Sequence, residues 1–183
     1  MKLVGVIDED WINYKVCSMI LEFPYCSFKC GANLCQNSEL AHAPLIEVDP
    51  IQLAYRYISN PITEAIVCQG LEPIDSIDEL CEFIHELRCN FMCHDDVVIY
   101  TGYTKEELEN MTITSFEYSK DINNHPTTKL PISTSVESVL TKLENYDNII
   151  IKYGRYIPDQ PSHYDDVLGV ILVSDNQFAE RIS

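Results

Sequence analysis

Three cysteines, Cys26, Cys30 and Cys35, fall in one short stretch, Phe23-Pro-Tyr-Cys-Ser-Phe-Lys-Cys-Gly-Ala-Asn-Leu-Cys-Gln-Asn37. Three closely spaced thiolates can hold a metal centre and leave one coordination position open, which separates a catalytic metal site from a closed structural one. Thiolates suit zinc and iron–sulfur clusters. A structural zinc site needs four ligands, commonly as two pairs. The nearest histidine, His42, lies beyond the cluster and makes no tidy second pair. A [4Fe–4S] cluster on three cysteines keeps one iron free for an outside ligand. A second group, Cys89-Asn-Phe-Met-Cys93-His94, has spacing that suits an auxiliary metal, but no further ligand stands nearby. Cys17, Cys68 and Cys81 fall in apolar runs and read as core thiols. His42, His85, His125 and His163 form no nucleophile–base pattern.

Such ligands need elements to hold them. Apolar, β-branched runs at 15–23, 65–68, 97–101, 148–152 and 168–173 predict strands. Helix starts lie between them. Asp49-Pro50 offers an N-cap with proline at the first helical position. Ser76-Ile-Asp-Glu79, Thr104-Lys-Glu-Glu107 and Thr134-Ser-Val-Glu137 have the capping-box pattern. Ile77, Leu80, Cys81, Ile84 and Leu87 then recur at helical spacing. Alternating strands and helices predict an α/β chain with a mainly parallel sheet. Right-handed crossovers put the strand C-terminal ends on one edge. That edge would carry the loops at 26–37, 69–73, 102–103, 153–155 and 174–177. Lys152 and Arg155 stand next to it and could steer a carboxylate.

The 183 residues suffice for one domain, 1–183, with an irregular insertion at about 115–133. A net charge of −17, with only 12 Lys and Arg, argues against nucleic acid. No apolar run is long enough for a membrane span, and the start turns acidic too early for a signal peptide. A cytoplasmic location is the expectation. Eight cysteines there would stay reduced rather than pair as disulfides.

With these elements in view, the segment from Met19-Ile-Leu-Glu-Phe-Pro-Tyr-Cys26 through Cys35-Gln-Asn-Ser-Glu39 resembles the cluster loop of radical S-adenosylmethionine proteins. The likeness is strongest to the proteins that activate anaerobic ribonucleotide reductase and other glycyl-radical enzymes. Gly70-Leu-Glu-Pro73 is similar to the family's Gly-Gly-Glu/Asp-Pro, and Tyr100-Thr-Gly-Tyr103 to its Thr-Gly-Tyr strand end. Asn148-Ile-Ile-Ile-Lys-Tyr-Gly-Arg-Tyr156 and Ser174-Asp-Asn-Gln177 resemble its later motifs, in order. Two departures stand out: four residues separate Cys30 from Cys35 where the family has two, and Leu71 replaces the second glycine.

The resemblance implies an incomplete TIM-like (βα) barrel of about five or six mainly parallel strands. It implies a [4Fe–4S] cluster on Cys26, Cys30 and Cys35, with S-adenosyl-L-methionine on the fourth iron. Gly70 and Glu72 would face the methionyl amino group, Tyr100 and Thr101 the ribose, and Asn176 the adenine. The implied activity is hydrogen abstraction, by a 5′-deoxyadenosyl radical, from a glycine of the large reductase subunit. The cluster would draw on an electron donor such as flavodoxin. A radical enzyme acting on a small molecule and a non-catalytic iron–sulfur or zinc module that binds a partner are the alternatives. Short length favours the activator, because few strands leave an open side for a protein loop.

Overall fold

The computed structural model describes residues 1–117 and 133–183. In chain order the strands and helices are β1 (Lys2–Leu3), β2 (Gly5–Asp10), β3 (Ser18–Phe23), β4 (Ile46–Glu47), α1 (Pro50–Ile58), β5 (Ala65–Gly70), α2 (Ile77–His85), β6 (Asp96–Tyr100), α3 (Lys105–Asn110), β7 (Thr112–Glu117), β8 (Ser133–Ser138), α4 (Val139–Glu144), β9 (Ile149–Tyr153), β10 (His163–Asp165), β11 (Val170–Leu172) and β12 (Phe178–Arg181). A six-stranded sheet runs in the order β12-β9-β6-β5-β3-β2. Its four central strands are parallel, while β2 and β12 join antiparallel at the edges. The fold is therefore mixed α/β with a mostly parallel central sheet.

The parallel strands read as near-continuous apolar runs because both of their faces are covered. One face carries Met19, Leu21, Ile66, Cys68, Ile99 and Ile151 against Leu53 of α1, Leu80 and Ile84 of α2, and Leu140 and Leu143 of α4. The other carries Ile20, Val67, Val98 and Ile150 against Tyr14 and the β10–β11 hairpin residues Leu168 and Leu172. Helices thus lie on one side, and a turn plus a hairpin on the other. Cys17, Cys68 and Cys81 are buried, in keeping with core roles. No helix among the described residues is long and apolar enough to cross a membrane.

Local signals fared unevenly. Asp49 caps α1, accepting from the Ile51 and Gln52 N–H groups, and Thr104 and Glu107 close a reciprocal capping box on α3. Ser76 does not cap α2. Its hydroxyl is buried without a partner, and Glu79 accepts from the Lys2 N–H instead. The box expected at Thr134 is also corrected: 133–138 is strand β8, and Ser138 caps α4 through the Thr141 N–H. The run at 168–173 is no parallel strand, since β11 pairs antiparallel with β10. Most of the irregular insertion expected at about 115–133 lies outside the described residues. Its flanks, β7 and β8, pair antiparallel.

Candidate functional site

The C-terminal ends of β3, β5, β6 and β9 open into a cavity of about 380 Å³ on the hairpin side of the sheet. That is within the size range of small-molecule sites. Cys26, Cys30 and Cys35 line it, as do Gly70, Glu72, Tyr100, Thr101, Lys152 and Arg155. The parallel topology brings these segments together: each strand delivers its final residues to the same edge.

The cysteine loop leaves β3 as a run of turns. Gly31, Leu34, Cys35 and Ser38 each donate to the carbonyl three residues earlier. Phe28 takes a positive φ of 49° between the first two cysteines. Such backbone persists where its surroundings over-determine it, and two side chains pin the loop. The Asp75 carboxylate accepts from the Ser27 N–H at 2.8 Å and from the Tyr103 hydroxyl at 2.7 Å. Asn37 donates to the Gly70 carbonyl at 2.8 Å, tying the end of the loop to β5. All three thiols are partly exposed. Burial pushes the Cys26 thiol up to about 11, against a lowering bond from the Phe28 N–H. Burial and the adjoining Cys35 thiol also raise Cys30. Among the described residues, no three Cys, His, Asp or Glu side chains converge as a metal-binding group. The three cysteines line the same cavity, and thiolates are the donor type that zinc and iron–sulfur centres use.

Gly70 ends β5 with φ of 98°, and an added Cβ would meet the Phe23 nitrogen at 2.8 Å. Leu71 is not at positive φ, so the special backbone conformation falls on the glycine that is present. Glu72 is 4% exposed. It accepts from the Gly102 N–H at 2.8 Å and the Ile74 N–H at 3.2 Å. Burial pushes its carboxyl up to about 7, against those bonds and one from Thr101. Lys152 is also buried and is pushed down to about 8 by burial, with Glu72 pulling the other way. Its ammonium donates to the Gly154 carbonyl at 2.9 Å.

The Tyr100 hydroxyl donates to the Asn13 carbonyl at 2.6 Å, and Thr101 Oγ1 accepts from the Tyr103 N–H. Asn176 is not among the residues lining the cavity. It braces the adjoining loop by donating to the Arg155 carbonyl at 2.8 Å, and its own Oδ1 is buried without a partner. Arg155 is held by Glu107 at 2.7 Å.

The sequence does not mark Asp75 or Glu107 as site residues, and Tyr103 shows only as the last residue of the Tyr100-Thr-Gly-Tyr103 segment. Asp75 and Glu107 act across long sequence separations, which no local pattern reports.

Cys89, Cys93 and His94 lie away from this cavity. Cys89 is exposed, 3.5 Å from His85 Nδ1, whereas Cys93 is buried and His94 pairs with Asp147. No family model matches the chain, nor does any curated protein or solved structure.

Proposed function

We propose that the chain is a radical S-adenosylmethionine protein that activates anaerobic ribonucleotide reductase by installing a glycyl radical on its large subunit. One observation carries the reading: three cysteines and the four motif residues Gly70, Glu72, Tyr100 and Thr101, far apart in sequence, line one cavity at one sheet edge. In this reading the open sheet, with helices on one face, is an incomplete TIM-like barrel.

Cys26, Cys30 and Cys35 would hold the [4Fe–4S] cluster, and Gly70, Glu72, Tyr100 and Thr101 would receive S-adenosylmethionine. When bound, these groups supply the one-electron chemistry that ends in hydrogen abstraction. The protein's part is positional. Asn37 and Asp75 fix the cysteine loop, and Gly102 with Ile74 fixes the Glu72 carboxylate. Lys152 and Arg155 supply positive charge within an acidic chain and would hold a carboxylate-bearing ligand. A cytoplasmic protein fed by a donor such as flavodoxin fits this chemistry.

Anaerobic reconstitution with iron and sulfide, then reduction with S-adenosylmethionine, should yield 5′-deoxyadenosine. A preparation with a full cluster and no such product would overturn the reading. With that product formed, a glycyl-radical signal on added reductase large subunit separates an activator from a small-molecule enzyme.

A further inference from the structure

Two segments that border the cavity expose apolar side chains and form a lip beside it. Trp11 and Ile12, in the turn between β2 and β3, are 69% and 78% exposed, and Ile171 and Val173 of the β10–β11 segment are 67% and 43% exposed. Ile12, Ile171 and Val173 line the cavity.

This lip is held in place from below. The Asp10 carboxylate accepts from the Ile12 and Asn13 N–H groups at 3.0 and 2.8 Å, and Tyr100 bonds the Asn13 carbonyl. Tyr14, Leu168 and Leu172 anchor both segments in one core cluster. Large apolar side chains on a backbone that is already fixed pay less ordering entropy on binding, so they suit docking.

Charge selects the occupant. Glu9 and Asp10 precede Trp11, and Asp175 follows Val173. Asp159 belongs to the loop whose Gln160 accepts from the Asn176 N–H. Lys29 and Arg155 also line the cavity, but both pair with Glu107, while Lys152 is buried and Lys15 lies over the Tyr14 ring. A second copy of the chain would set one charge of −17 against another. Nucleic acid and anionic lipid are disfavoured in the same way. We propose that the lip of Trp11, Ile12, Ile171 and Val173 docks a polypeptide segment that carries apolar side chains between Lys or Arg residues. The inference rests on reading the cavity as a site that accepts a polypeptide substrate.

Trp11 is the sole tryptophan, so its fluorescence reports on the lip directly. Reconstituted protein is used to select binders from a random dodecapeptide display library. Enriched peptides are expected to have an apolar centre with basic flanks and to shift Trp11 emission to the blue. Their affinity should fall with added salt. Anisotropy of a labelled peptide should show roughly tenfold weaker binding to Trp11→Ser and to Ile171→Ser, as for hot-spot residues. Both side chains are exposed, and circular dichroism checks that each variant is folded. Acidic consensus peptides, equal binding to the variants, an unshifted Trp11 or failure to enrich any peptide would overturn the proposal. So would self-association through this lip in light scattering. The radical reading is tested apart, as 5′-deoxyadenosine formed without peptide. Peptide binding in a preparation that never forms that product leaves the docking surface standing and removes the radical reading.

Discussion

Two cysteine groups with the same Cys-x3-Cys spacing end in opposite circumstances. Cys26 and Cys30, with Cys35, follow the C-terminal end of β3 and line a cavity. Cys89 and Cys93 precede β6, at the N-terminal edge of the sheet. There Arg88, 7% exposed, donates to the carbonyls of Cys93, Asp95 and Asp147 at 2.7, 2.9 and 2.9 Å. The backbone is drawn tight around a guanidinium, leaving one thiol buried and the other on the surface. Spacing alone does not make a site. The edge onto which a loop opens decides whether its thiols share a space that a cofactor can enter.

The largest expected effect tests that contrast directly. Cys35→Ser should abolish iron and sulfide binding, whereas Cys89→Ser and Cys17→Ser should leave both at wild-type content. A full cluster in the first variant would move the third ligand away from Cys35 and remove the distinction between the two groups. Arg88→Met should break the other edge. It leaves three carbonyls without a buried donor, and at about 1–3 kcal/mol each, partly relieved by water, a total loss of about 3–5 kcal/mol is expected in urea unfolding. Iron content in the surviving folded fraction should be unchanged, because Arg88 touches nothing in the cavity. Gly70→Ala should cost less, about 1–3 kcal/mol, from strain at positive φ and the Phe23 contact. Unlike Arg88→Met, it should also weaken S-adenosylmethionine binding, which equilibrium dialysis would show.

The parallel core was legible because β3, β5, β6 and β9 are buried on both faces and read as unbroken apolar runs. The loops at the cavity edge followed from where those runs end, whereas Gly70, Glu72, Tyr100 and Thr101 came from the resemblance to the radical S-adenosylmethionine motifs. The edges were harder. Strand β2, Gly5-Val-Ile-Asp-Glu-Asp10, carries three acids and no clear alternation, so nothing marked it as a strand. The 168–173 run has a core strand's composition, yet it pairs with β10, with Leu168 and Leu172 buried in the core cluster, Val170 packed partly against it, and Ile171 and Val173 exposed. Asp75 could not be read as a loop anchor, since its partners Ser27 and Tyr103 come from other segments. Nor does the sequence reveal that Ser76 gives up its cap for burial.

The smallest expected effect separates the same two edges by pH. Burial raises the Glu72 carboxyl to about 7, so the folded chain holds a proton there that the unfolded chain releases near 4.5. Between those values the unfolded state binds fewer protons, and stability falls as pH rises, by less than about 1.4 kcal/mol per pH unit. Asp147, at the opposite edge, behaves in reverse. Burial raises its pKa, but the His94 bond and the Arg88 charge outweigh it and hold the carboxyl below its ordinary value. Its stabilisation is present above the ordinary carboxylate pKa and is lost as pH falls below it. Glu72→Gln should therefore remove the decline between pH 4.5 and 7 while leaving the loss at lower pH. Asp147→Asn should lessen only the acid limb, to which Asp8, Asp96 and Glu107 also contribute. Urea midpoints of the metal-free protein across this range would read both, and a Glu72→Gln profile parallel to wild type would mean that the carboxyl is hydrated rather than enclosed.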